Sequence, residues 1–207
     1  MNNFIAVKYH IRTAFPENLI ALHNFKNGYC GISQIEENKY CLCYLTNAEN
    51  LHNNNNSVKE MEKNILRKNP FLEKIFSSSS FLFEGPMVIS QISFEKKSRV
   101  ENNVLMIGDA AGMITPLCGN GMSMALHGSK IAFRHISNYL KGNIRRYEME
   151  QEYTDEWNKC FGKRLLAGRV IQRFFGDNFL SGMLIRSVKP FPKLISYLIR
   201  QTHGAPY

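Results

Sequence analysis

The order of hydrophobic and polar positions divides the chain into a strand-rich half and a helical half. Phe4 to Ile11, Leu19 to Phe25, Tyr29 to Ser33 and Lys39 to Thr46 are short runs rich in apolar, aromatic and β-branched residues. Phe15-Pro16-Glu17-Asn18, Lys26-Asn27-Gly28 and Glu36-Glu37-Asn38 part them with turn chemistry. This spacing predicts an antiparallel meander. The fourth run is apolar on both faces, with Tyr40, Leu42 and Tyr44 on one and Cys41, Cys43 and Leu45 on the other, so it needs cover on both. Asn53 to Asn56 is a polar loop tip. Ser57-Val58-Lys59-Glu60 has the capping-box pattern and opens a helix towards Lys68, which Asn69-Pro70 stops. A second short helix follows through Phe76, and the serines from Ser77 to Ser80 connect it onward. Met87 to Phe94 reads as another strand, and Val104 to Ile107 as a short buried one ending in Gly108-Asp109.

From Gly119 to Lys141, Met122, Leu126, Phe133, Ile136 and Leu140 recur at helical spacing, while the opposite stripe of Gly121, Ala125, Gly128 and Ala132 is small throughout. A small stripe lets another backbone come close, as a helix packed on a sheet requires. Further helices are predicted over Met149 to Phe175 and Phe179 to Arg200, the latter broken at Lys189-Pro190 and Pro192.

Composition narrows the class. With 207 residues, 44% apolar and 21% charged, the chain can bury a sizeable core and is neither disordered nor fibrous. No apolar run reaches the roughly 18 residues that cross a bilayer, and Met1 to Lys8 lacks the apolar core of a secretory signal. The five cysteines form no CxxC pair, which disfavours a disulfide framework or a structural metal site and favours a reducing cytoplasm. The net charge of +9 is concentrated after Asn158, where nine Lys or Arg face one acid, Asp177. Interleaved with apolar residues, such a tail suits a peripheral membrane contact, a roof over a hydrophobic substrate or a plain solvated helix surface. No nucleic-acid-binding module is recognisable, and no nucleic-acid partner is expected.

The candidate chemistry lies between Val104 and His127: a strand, the acid Asp109 at its end, a turn of small residues with Pro116, then Gly119-Asn120-Gly121 opening the long helix. Strand ends of this kind are where ligands sit in α/β proteins. Asp109 is suited to accept hydrogen bonds from hydroxyls. A helix start offers free N–H groups and the positive end of a dipole to an anionic or electron-rich group, and glycines let that group come close.

This ordered string resembles the second FAD-contacting motif of the flavoprotein family that includes para-hydroxybenzoate hydroxylase, the flavin-dependent halogenases and the geranylgeranyl reductases. The matching residues are Gly108-Asp109-Ala110-Ala111, Pro116 and Gly119-Asn120-Gly121, with Ala125 inside the helix. The resemblance implies that Asp109, with Gly108 and Ala110, meets the ribityl chain of FAD. It further implies that Pro116 and Leu117 lie beside the isoalloxazine ring, and that Gly119 and the amides of Asn120, Gly121 and Met122 face its pyrimidine edge. Many hydroxylases of the family have His where Gly112 stands; Gly112 is closer to the reductase and halogenase branches.

Geranylgeranyl reductases also carry a GYxWxFP signature. Here Gly28 and Tyr29 match, but Gly31 stands at the Trp position and Ser33-Gln34 at Phe-Pro; the halogenase GWxWxIP is missing too. No GxGxxG occurs in the 207 residues, so the unit that cradles the FAD pyrophosphate is not among them. The resemblance therefore implies an α+β chain equivalent to the carboxyl-terminal portion of such an enzyme. Residues 1–98 would form a substrate-domain antiparallel sheet, 99–145 the second half of the FAD domain, and 146–207 a helical region. The implied activity is that of a geranylgeranyl-reductase-like FAD oxidoreductase on a hydrophobic, isoprenoid or polyketide-like substrate, with NAD(P)H or another electron donor and a separate FAD-binding chain as partners. An aromatic monooxygenase and a non-catalytic remnant or ligand-binding module are the alternatives. Tyr29, Tyr40 and Tyr44 are the candidates for lining a substrate pocket. His10, His23, His127 and His203 are weighed as structural, and Cys118 as buried filler near the ring.

Overall fold

The computed structural model describes residues 3–172, 178–193 and 196. They fall into two units, one built on residues 1–93 with 174–185, the other on 94–173 with 186–207.

The first unit is a sheet under helices. β1 (Phe4–Arg12), β2 (Ala21–Phe25), β3 (Gly28–Ile35) and β4 (Lys39–Asn47) pair antiparallel in the order β2-β3-β4-β1. β2 to β4 is the expected meander; β1 lies beside β4 instead of β2. β5 (Ser80–Phe81) and β6 (Met87–Ile92) both pair with the free edge of β1. The hairpin turns use left-handed residues, Asn27 in one and Glu37 and Asn38 in the other, where Asn is tolerated best. Gly28 is held by packing: a Cβ there would stand 2.5 Å from the Leu45 carbonyl and the Phe25 ring.

α1 (Ala48–His52), α2 (Val58–Asn64) and α3 (Pro70–Ser78) are each capped by the residue before them, Asn47, Ser57 and Asn69, whose side chains accept a backbone N–H of the first turn. Asn69-Pro70 thus closes one helical segment and starts the next, with proline at a position where no N–H is needed. Met61, Leu66, Leu72, Ile75 and Phe76 pack into one cluster with Val7, Ile11, Cys30, Ile32, Leu42 and Tyr44 from one sheet face. In the middle of this core Glu62 is buried, and its Oε1 accepts hydrogen bonds from Tyr9 (2.7 Å) and Tyr44 (2.8 Å).

Burial pushes the Glu62 carboxyl pKa up, and the two hydroxyls draw it only partly back. The folded state therefore holds this proton more tightly than the unfolded chain. The linked stability is full below the ordinary glutamate range and is lost as pH rises through the raised value. Melting temperatures of wild type and Glu62→Gln between about pH 4 and 7 check this: the difference should move in favour of the variant as pH rises.

The second unit joins a ribbon to two long helices. β7 (Val100–Glu101) and β8 (Val104–Leu105) flank a two-residue turn, Asn102-Asn103, both left-handed as a type I′ hairpin requires. The strand expected over Val104 to Ile107 is thus shorter, and it is not buried: Val104 is 57% and Ile107 38% exposed. α4 (Gly121–Leu140) and α5 (Arg146–Gln172) pack against each other, with Ala132, Ile131, Tyr153, Trp157, Phe161 and Leu165 in their core. Residues 146–172 therefore belong to the same unit as the Gly108-Asp109 turn instead of starting a third region, and the chain divides at Ser93.

α6 (Asn178–Val188) stops just before Lys189-Pro190. The expected helix over residues 194–200, apart from residue 196, and His203 lie outside the described residues. No helix among the described residues is long and apolar enough to cross a membrane, and no group of three or more metal-capable side chains occurs among them.

Candidate functional site

Glycines shape the turn after β8. Gly108 is left-handed (φ 58°), and a Cβ there would stand 3.5 Å from that of Ala125, so the small stripe of α4 seats the Gly108–Ala110 turn. Asp109 and Ala110 are exposed, and the Asp109 carboxylate has no partner among the described residues. Its backbone carbonyl accepts from Lys97 Nζ at 2.9 Å.

Pro116 to Cys118 form a single 3₁₀ turn that ends on Gly119, left-handed at φ 68° with open space where a Cβ would stand. Pro116 is exposed and Leu117 half-buried. The first bond of α4 runs from Met124 N–H to Asn120 C=O, so the preceding Gly121 and Met122 amides have no acceptor in the helical ladder. Asn120 is itself buried. The mouth of α4 is thus an open, glycine-floored cradle on the same unit as an unengaged carboxylate. This donor and acceptor set fits the polyol and ring edge of a flavin.

The apolar stripe of α4 is largely exposed, with Ile136 half-buried. Met122 is 85% exposed, Leu126 67%, Phe133 73% and Leu140 75%. The small stripe is the buried one, and it meets a helix where a sheet was expected: Gly128 faces the Trp157 indole, with 3.6 Å from an ideal Cβ to Nε1.

Trp157, the only tryptophan of the chain, is the hub of this unit. A Cβ on Gly112 would lie 2.7 Å from its ring and 3.0 Å from Leu165 Cδ1, so no side chain fits at 112. The Arg99 guanidinium stacks 3.8 Å from a Trp157 ring centroid, donates from Nε to Asn158 Oδ1 (3.1 Å) and from Nη1 to the carbonyls of Lys97 and Ala111. Burial lowers the pKa of Arg99. Arg99, Lys97 and Trp157, none of them legible as site residues in the sequence, pin the turn that carries Asp109. The one hint was the basic run Lys96-Lys97-Ser98-Arg99 just before the ribbon.

Cys118 is buried at 3.4 Å from Thr115 Oγ1, and burial raises its pKa, so it is an inert filler. His23 stacks on Phe71 and His127 meets Phe161 edge-on; burial lowers both pKa values, which fits structural imidazoles. Tyr40 and Tyr44 belong to the helix-covered core. The Tyr40 hydroxyl is committed to the Phe15 carbonyl and that of Tyr44 to Glu62, so neither is available to a substrate. Their side chains alternate onto the covered sheet face, whereas the buried Tyr29 points to the other.

No protein-family model matches the chain. It is 36% identical over 107 residues to the uncharacterized protein MJ1520 of Methanocaldococcus jannaschii, a match covering 50% of this chain and 26% of that one. It is 35% identical over 65 residues to digeranylgeranylglycerophospholipid reductase 3 of Methanosphaera stadtmanae, covering 31% and 16%. Among solved structures, the flavin-dependent brominase Bmp2 superposes with a TM-score of 0.75 at 17% identity, over 99% of this chain and 51% of the brominase. A geranylgeranyl bacteriochlorophyll reductase-like protein of Thermoplasma acidophilum gives 0.68 at 15% identity, over 97% and 55%. The chain has the α+β fold of these flavin-dependent structures, and part of its sequence is similar to part of the Methanosphaera reductase. It spans about half the length of these solved structures, and its matches cover a smaller share of the curated relatives.

Proposed function

We propose that this chain forms the ribityl-and-ring half of the FAD site of an oxidoreductase of the geranylgeranyl-reductase-like type, acting on a hydrophobic, isoprenoid or polyketide-like substrate. The observation that carries the reading is the unpartnered Asp109 carboxylate on the turn seated against α4, whose mouth is open at Gly119. Asp109 would accept from ribityl hydroxyls. The amides of Gly121 and Met122 would face the pyrimidine edge of the ring, and Pro116 and Leu117 would flank it. The bound flavin would supply the redox chemistry, with electrons from NAD(P)H or another donor. The name of the Methanosphaera relative, and a Gly112 that excludes the histidine of many hydroxylases, favour the reductase over the monooxygenase.

The remaining half of the site would come from a dinucleotide-binding βαβ unit covering Met122, Leu126, Phe133 and Leu140 of α4. Taking each such side chain out of water is worth about 1.5–3 kcal/mol. The test is to supply in trans the part of the Methanocaldococcus relative that lies outside the match. Expected is copurification of the two chains with bound FAD, while the chain alone binds FAD more weakly than micromolar. Tight binding by the chain alone would refute the need for a second half, and a flavin-free complex would refute the site.

A further inference from the structure

We infer that the second unit carries a phosphate-binding pocket behind the Gly112 turn, built around Arg99. The pocket, about 270 Å³, lies between the segment preceding β7 and α5. It is lined by Lys96, Lys97, Arg99 and Arg169, by one carboxylate, Glu95, and by the neutral residues Gly112, Met113, Asn158, Gly162, Leu165 and Leu166. Four cations against one acid is an unusual lining for a protein cleft unless an anion belongs there.

Arg99 makes the case specific. It is 94% buried, as its relative exposure is 6%. A guanidinium so placed ordinarily carries a carboxylate partner, because burying an uncompensated charge is costly. Among the described residues it has only neutral acceptors: two backbone carbonyls and Asn158 Oδ1. Its Nη2 has none. The stacked Trp157 indole holds the guanidinium plane fixed, which preorganises it for a planar or bidentate acceptor. Arg169 from α5 is close enough to disfavour the charge on Arg99, so the two cations gain from a shared anion. A phosphate monoester is the ligand class that matches: a dianion rich in acceptors, meeting two guanidinium groups and two ammonium groups at one place. This assignment does not depend on the flavin reading.

The experiment is equilibrium dialysis of the full chain against radiolabelled inorganic phosphate at constant ionic strength, with Trp157 fluorescence as the local reporter. Saturable binding is expected, with a change in tryptophan emission. Loss of about tenfold or more in affinity is expected in Lys96→Gln/Arg169→Gln, whose helix content should be unchanged by circular dichroism. Those two side chains are used because Arg99 is part of the core, held by three hydrogen bonds and the Trp157 ring. Competition by sn-glycerol 1-phosphate but not by phosphatidic acid vesicles would assign a soluble ligand, and displacement by the vesicles a lipid headgroup; both support the pocket. Absence of saturable phosphate binding, or equal binding by the double variant, would overturn it, even if the chain sediments with anionic vesicles.

Discussion

Gly112→His is expected to unfold the helical unit while leaving the sheet unit folded. The position has no space: the first side-chain carbon alone would sit 2.7 Å from the Trp157 ring and 3.0 Å from Leu165. One excess methylene in a packed core costs about 1–3 kcal/mol, so an imidazole should cost at least about 3 kcal/mol. Trp157 is buried and edge-on to Phe161 at 5.0 Å between centroids, so its emission should move to that of a solvated indole. Gly112→Ala provides the graded control, a lower urea midpoint with native emission retained. A Gly112→His chain as stable as wild type, with native emission, would show that the turn can retreat from α5. The departure at 112 from the histidine of many hydroxylases would then have no steric cause.

Asp109→Ala should do the reverse, leaving stability alone and removing the flavin. The side chain is exposed and unpartnered, so the melting temperature of the chain should stay within the change typical of surface substitutions, about 0.5 kcal/mol. In the complex with a supplied dinucleotide-binding unit, FAD affinity should fall by about ten- to a hundredfold. That is the worth of one or two hydrogen bonds to a charged acceptor. Flavin absorbance retained through gel filtration, read beside thermal unfolding, separates the two effects. Unaltered retention would end the assignment of Asp109 to the ribityl chain, and a large loss of stability would make it a structural residue.

Local chemistry was readable along much of the chain. β1, β3 and β4 follow from alternating apolar residues and the turns between them, within a residue or two at each end. α2 and α3 follow from Ser57 and Asn69-Pro70, whose hydrogen bonds reach only two or three residues ahead. The Gly108-Asp109 and Gly119-Asn120-Gly121 elements were legible for the same reason, since left-handed backbone and an uncapped helix start are properties of a few consecutive residues.

Which neighbour each face meets was decided elsewhere. β1 joins β4 rather than β2, a pairing from Ile11 with Tyr40 to Phe4 with Asn47 that no local pattern encodes. The small stripe of α4 announced close packing but not its partner: Trp157, from a helix farther along, lies against Gly128, and Met122, Leu126, Phe133 and Leu140 are left in water. Tyr40 and Tyr44 had the composition of pocket residues and became core because the Phe15 carbonyl takes the hydroxyl of the first and Glu62 of α2 that of the second. Arg99 gained its role only through Asn158 and Trp157, both more than fifty residues away. The primary structure carried backbone conformation and the order of chemical groups, because those depend on neighbours in the chain. Burial, partnership and the emptiness beside Gly112 depend on volumes that distant segments fill, and so they came only with the folded arrangement.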